Sequence, residues 1–241
     1  MGKWKQIQEY AVHIPFPLKN YQKNKDKASR VLLLDATFTK VKGKDRAIMI
    51  AYDTGIGVID YWIDVTENAT GYSLIFQHLD KVGYRPICVV SDGHRSLLRV
   101  IKERNLPHQR CIFHLLRELK CKLGKGLYPE LTGRKKVLYS RIKYILKTKR
   151  IEDLPQRIRL FREKTEPLFI KEQLALDWFH SILPHAVLHL SYEENIPNGT
   201  NLLENLNGQI KQRIKTMRGM KSERSLDNLL KILFYLNNYK F

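Results

Sequence analysis

The chain has 241 residues, 43% of them apolar and 10% aromatic, enough for a sizeable core and unlike a disordered chain. Lys and Arg total 43 against 24 acids, a formal net charge of +19, and such an excess is relieved by an anionic partner, above all nucleic acid. No apolar run approaches the ~18 residues of a membrane span, MGKWKQIQEYAV lacks a secretory apolar region, and Cys88, Cys111 and Cys121 are too few for a disulfide framework and suit a reducing compartment.

Residues 1–30 read as a short amphipathic stretch and a Lys-rich connector, a basic arm or the remnant of a DNA-binding domain, with Pro15 and Pro17 interrupting any long helix. VLLLDATF (31–38), RAIMIAYD (46–53) and IGVIDYWID (56–64) read as strands, joined by turns at Gly43 and at Asp53-Thr54-Gly55 that are short enough to make them antiparallel neighbours. Leu74, Ile75, Leu79 and Val82 give a helix over about 70–82, ended by Gly83. PICVVS (86–91) is apolar enough for a buried parallel strand. A helix at about 94–104 and a fifth strand at 108–113 follow. The order β-β-β-α-β-α-β predicts an α/β fold, a ribonuclease H-like mixed five-stranded sheet with flanking helices, its first part covering 31–114.

Residues 115–197 have helical periodicity throughout, with Pro155, Pro167 and Pro184 expected at breaks, and read as an all-helical insertion. Residues 198–241 read as two C-terminal helices returning to the core, one starting after Asn198-Gly199 and running to about 217 and one over about 223–239, parted at Gly219. The charge follows this division. Residues 31–114 carry 11 basic and 9 acidic side chains, whereas 115–175 carry 17 and 7, so the positive excess flanks a nearly neutral sheet.

Three acids stand out. Asp35 lies mid-strand on the face of Val31, Leu33 and Thr37, where an ionised carboxylate is costly without a cation beside it. Asp92 ends an apolar strand, where sites of α/β folds collect, although an Asp before a helix is also a common N-cap. Glu204 follows Asn201 with capping-box spacing. Two Asp on adjacent core strands and one acid from a helix make a cluster of hard oxygen ligands suited to two divalent cations such as Mg²⁺, about 3.5–4 Å apart.

LLLDATF, VVSDGH, CIFH and IPNGTNLLENLNGQIKQRIKTMRGMKSER together resemble the catalytic domain of Mutator-like transposases and related prokaryotic insertion-sequence transposases, over roughly residues 30–240. The most specific piece is Thr200-Asn201-x-x-Glu204 with Asn207 and the basic helix after it. The resemblance implies a DDE transposase with catalytic, metal-binding Asp35, Asp92 and Glu204 and two Mg²⁺ or Mn²⁺ ions. It implies hydrolysis at the element end and attack of the freed 3′-hydroxyl on target DNA. The expected partners are double-stranded transposon ends and target DNA, with the protein a homodimer or higher oligomer on DNA, in the cytoplasm at the nucleoid, or in the nucleus of a eukaryote.

Cys111, His114, Asn201 and Asn207 are expected to support the site. Zinc is not expected from His108, Cys111, His114 and Cys121, whose spacing fits no standard template. DNA contacts are expected from His94, from Lys211, Arg213, Lys215 and Arg218 after Glu204, and from Arg134, Lys135 and Lys136 in the insertion. Trp178 is a candidate for stacking on a base, against the commoner role of a core tryptophan. The 34 residues before Asp35 are too few for a full end-recognition module, which suggests a catalytic core without one. A ribonuclease H-like nuclease or resolvase, and a transposase-derived DNA-binding protein without activity, are the rival readings.

Overall fold

The computed structural model describes every residue except 1–10, 12–13, 15–16, 127–128, 165–168, 218 and 239–241. Three strands, β1 (Val31–Val41), β2 (Lys44–Asp53) and β3 (Gly57–Asp64), form an antiparallel meander. β1 runs further than its apolar pattern suggests because only Lys42 and Gly43 separate it from β2. Both have positive φ, +50° and +77°, a two-residue turn whose twist suits the hairpin, and Val41 pairs with Lys44 directly beyond it. β4 (Cys88–Ser91) joins β1 in parallel, with Leu34 opposite Ser91. It starts two residues later than expected, after Pro86, which has no N–H to give the ladder. With β5 (His108–Arg110) the strands belong to one sheet in the order β3-β2-β1-β4-β5. An antiparallel meander continued by the parallel β4 is the ribonuclease H-like arrangement.

The chain divides into two compact units, Met1–Pro107 with Thr200–Phe241, and His108–Gly199. Residues 108–114 group with the helices after them in this division. In the first unit, α1 (Pro17–Lys23) precedes the sheet, and α2 (Ala69–Lys81) and α3 (Arg95–Glu103) connect its strands. Asn68 caps α2, its side chain accepting from Gly71 N at 2.8 Å. Leu32, Leu34, Met49, Ile59, Tyr72, Phe76 and Leu97 are among the buried side chains of this core.

After Gly199 come α8 (Asn201–Thr216) and α9 (Glu223–Asn238), numbered to follow four helices of the second unit. α8 packs on β1 and buries Leu203, Leu206, Asn207, Ile210 and Ile214, one stripe at helical spacing. α9 packs on β3, where Tyr61 donates to Asp227 at 2.6 Å and Asn238 brackets Val58 with two hydrogen bonds.

The second unit contains α4 (Ile112–Leu123), α5 (Gly133–Leu146), α6 (Leu154–Lys164) and α7 (Ile170–Ala186), around a core that includes Leu115, Leu119, Ile142, Ile145 and Phe179. The expected strand at 108–113 stops at Arg110 because Cys111 caps α4 and Ile112 N bonds Asn198 O at 2.9 Å. Pro184 does not break the helix as expected. It lies inside the last turn of α7, which runs on to Ala186. Pro155 sits in the first turn of α6, where a missing N–H costs nothing. Pro167 lies outside the described residues. No described helix is long and apolar enough to cross a membrane.

Candidate active site

β1 and β4 are the strands that position the two aspartates. Asp35 is half-buried on β1, opposite Ile50 of β2. The parallel register ends with Leu34 beside Ser91, so Asp35 and Asp92 are each the next residue along neighbouring strands. Beyond Ser91 the backbone turns through Gly93, whose φ of +87° is costly for any residue with a Cβ. This turn brings His94 N to Asp92 Oδ1 at 2.9 Å. Asp92 is therefore not the N-cap of α3. His94 holds that position, without a side-chain cap.

α8 brings the third acid. Glu204 lies in its first turn and is half-buried, with Thr200 Oγ1 donating to Glu204 Oε1 at 3.2 Å. The cap position belongs to Thr200, not Asn201, which is exposed on the first turn. Asn207 stands three residues after Glu204, hence on the same face of the helix. It is buried and donates from Nδ2 to Asp35 Oδ2 at 2.9 Å. This bond ties the Glu204 face of α8 to the Asp35 face of β1. Asn207 Oδ1 is buried without a protein partner, and so is Thr37 Oγ1, two residues from Asp35 on the same strand face.

Two side chains absent from the sequence-based site adjoin it. Tyr72, fully buried on α2, has its hydroxyl pKa pushed well above the ordinary value, by burial first and then by the charges of Glu67, Asp92 and Asp35. Its hydroxyl donates to Glu67 Oε1 at 2.6 Å. Burial also raises the Glu67 carboxyl, and the nearby Asp92 charge adds to the rise. Nothing in spacing marks Glu67, which precedes a helix cap in an unremarkable loop.

Asp53 could be mistaken for a site acid, since it is more deeply buried than Asp35. Its two oxygens accept from Ser29 N, Ser29 Oγ, Arg30 N, Gly55 N and Tyr84 Oη at 2.8–3.1 Å. Its acceptor capacity is spent on holding the entry to β1.

Among the expected DNA-contacting residues, Lys211, Arg213 and Lys215 are exposed on α8, and His94 is 40% exposed by side chain. Arg218 lies outside the described residues. In the second unit Arg134 and Lys136 are exposed and Lys135 is half-buried on α5, with the Arg134 guanidinium 5.0 Å from the Phe169 ring. Cys111 is buried at the cap of α4 and His114 half-buried in its first turn. Trp178 is half-buried against the helical core, with Lys122 Nζ 4.9 Å from its ring centroid. That is the core role rather than a free stacking platform.

The transposase of insertion sequence element IS905 from Lactococcus lactis subsp. lactis (strain IL1403) is 26% identical over 225 residues, 87% of this chain and 54% of that protein. The transposase of IS256 in transposon Tn4001 from Staphylococcus aureus is 25% identical over 231 residues, 89% of this chain and 57% of that one. The chain thus spans little more than half the length of these relatives. The catalytic core domain of HTLV-2 integrase, solved in complex with magnesium, aligns with 65% of this chain and covers 85% of its own, at 12% identity and a TM-score of 0.30. The description "Transposase, Mutator family" matches residues 19–241, and the chain belongs to that family.

Proposed function

We propose that the chain cuts DNA strands and joins them to target DNA by phosphoryl transfer, with Asp35, Asp92 and Glu204 holding two divalent cations, Mg²⁺ or Mn²⁺. Membership in a transposase family supports the reaction class. The observation that carries the site is the Asn207–Asp35 hydrogen bond, which couples the helix bearing Glu204 to the strand bearing Asp35.

The donor set suits hard cations, since all three acids offer carboxylate oxygens. The buried, unpartnered Asn207 Oδ1 fits a hydrated ion as well, because an acceptor left orphaned in a folded protein is costly and the water around such an ion donates hydrogen bonds. When bound, the cations supply charge neutralisation for the attacking and leaving oxygens of an in-line displacement. The protein's own groups do the positioning. Asn207 orients Asp35, the His94 N–H orients Asp92, and Thr200 orients Glu204. Asn201, Cys111 and His114 are proposed as further supports.

Lys211, Arg213 and Lys215 alternate with buried Ile210 and Ile214 on α8, so the helix that presents Glu204 also presents a cationic face for the phosphate backbone. Arg134, Lys135 and Lys136 offer a second one on α5. The partners are double-stranded transposon ends and target DNA, brought together by a homodimer or higher oligomer, in the cytoplasm of a bacterium such as those that carry the relatives.

The test is a strand-cleavage and joining assay on end-labelled duplexes. Wild type with Mg²⁺ yields nicked and joined products. Asp35→Ala, Asp92→Ala and Glu204→Ala yield neither, yet retain DNA binding. Full cleavage by any of the three overturns the assignment.

A further inference from the structure

Glu67 lies in the loop before α2, and that loop is locked. Asn68 Nδ2 donates to Asp64 Oδ2 and to Thr66 O, both at 2.9 Å, while Asn68 Oδ1 caps the helix. Only 10% of the Glu67 side chain is exposed. Its Oε1 accepts the Tyr72 hydroxyl at 2.6 Å and lies 3.0 Å from His94 Nδ1, ion-pair range although off the line of a good hydrogen bond. The backbone N–H of the same histidine donates to Asp92 Oδ1. Tyr72, Glu67, His94 and Asp92 therefore form one chain of contacts, running from the fully buried core of the first unit to the proposed metal site.

A carboxylate withdrawn from water is expensive, and a buried tyrosine holding it in place makes the position rigid. Such an arrangement is wasteful if His94 merely caps a helix, since a cap needs an acceptor and His94 supplies no side-chain cap. It is well suited to fixing the orientation of an imidazole. With Nδ1 facing Glu67, Nε2 is the ring nitrogen left to meet a ligand, and 40% of the side chain is exposed to meet it.

We propose that Glu67 is a positioning residue that acts through His94, aiming the imidazole at a phosphate oxygen of the DNA strand next to Asp92. This rests on the reading of Asp92 as a site residue. The ligand is a DNA phosphodiester, recognised without regard to base sequence. Glu67 touches neither DNA nor cation; it sets the direction from which His94 does.

The test is a double-mutant cycle read on DNA affinity, with chelator present so that no cation is needed, on a labelled duplex of arbitrary sequence. His94→Ala and Glu67→Ala each weaken binding roughly 10- to 100-fold, the scale of one lost hydrogen bond to a charged group. The double variant binds no worse than His94→Ala, because Glu67 has nothing left to aim. Glu67→Asp keeps the charge but draws it back from the ring, and loses as much as Glu67→Ala. It also serves if the alanine variant fails to fold. Losses that multiply in the double variant, or wild-type binding by Glu67→Asp, overturn the proposal. The triad reading fails by a different measurement, Mg²⁺-dependent cleavage by Asp92→Ala, so the two failures are distinguishable.

Discussion

Asn207→Leu separates function from stability at the proposed site. The change removes the 2.9 Å hydrogen bond to Asp35 and also removes the buried, unpartnered Oδ1. Losing a hydrogen bond to a charged group costs about 1.5–3 kcal/mol, while eliminating an unsatisfied buried acceptor returns about 1–3 kcal/mol. The two terms oppose one another, and leucine nearly conserves the volume on a helix face already lined by Leu203, Leu206 and Ile210. The melting temperature is therefore expected within roughly 4 °C of wild type, the shift that about 1 kcal/mol produces in a chain of this size. The function does not share this compensation. Asp35 loses the group that orients it, and loss of a residue supporting a metal ligand typically lowers metal affinity or activity 10- to 100-fold. The assay is a Mg²⁺ titration of single-turnover DNA cleavage, accompanied by Mn²⁺ binding to the protein alone. The expected result is a right-shifted Mg²⁺ dependence and weaker Mn²⁺ binding with near-unchanged melting. Unchanged Mg²⁺ dependence, or a collapse of folding in step with activity, would contradict the orienting role given to Asn207.

Three further outcomes follow from other parts of the molecule. Asp53→Ala leaves five donors around an empty acceptor and is expected to cost about 3 kcal/mol or more, lowering the melting temperature by roughly 6–12 °C; a thermal melt within 2–3 °C of wild type would contradict the structural role given to this acid. Burial in the second unit, assisted by His185 and Arg110, lowers the His108 pKa to about 3. The unfolded histidine, near its ordinary 6.5, binds a proton that the folded one refuses, so stability is lost as pH falls from 6.5 toward 3, by about 1.4 kcal/mol per pH unit. Denaturation at pH 6 and pH 4.5 should show this slope in wild type and a flatter one in His108→Gln, and equal slopes would remove the argument. Replacing Lys211, Arg213 and Lys215 together by alanine should weaken DNA binding and reduce the slope of log affinity against log salt by about 2–3, close to 0.9 per lost phosphate contact; an unaltered slope would show that this face of α8 is merely solvated.

The sheet was legible because its strands carry the pattern of burial on their surface. The apolar runs around Leu32–Leu34 and Val89–Val90 read as central strands, and the short turn at Gly43 makes the first pair antiparallel neighbours, in agreement with the register. Strand ends were harder, since they depend on partners rather than on pattern: β1 is extended by its hairpin, and β5 is cut short where Cys111 turns into a helix. The acids show the same limit. Asp35, Asp53 and Asp60 all lie on strands, and composition cannot rank them. Asp53 is consumed by backbone and hydroxyl donors, and Asp60 pairs with His78 at 3.0 Å, whereas Asp35 meets Asn207 from a helix 172 residues away. The resemblance to transposases singles out Asp35 and places Asn207 among the supporting residues, but the hydrogen bond between them is not readable from it. Glu67 and Tyr72 were invisible, because what makes them notable is burial and proximity to Asp92, neither of which spacing encodes.

Asp35, Asp92 and Glu204 are proposed as ligands of the cations that drive cleavage. Exchanging Asp35 and Asp92 in turn for cysteine is the sharpest test, since a thiolate is a poor ligand for Mg²⁺ and a better one for softer Mn²⁺. Asp35→Cys and Asp92→Cys are expected not to cleave DNA with Mg²⁺ and to regain part of their activity with Mn²⁺, while folding and DNA binding are retained. Cleavage at the wild-type rate in Mg²⁺ alone by either variant would contradict it.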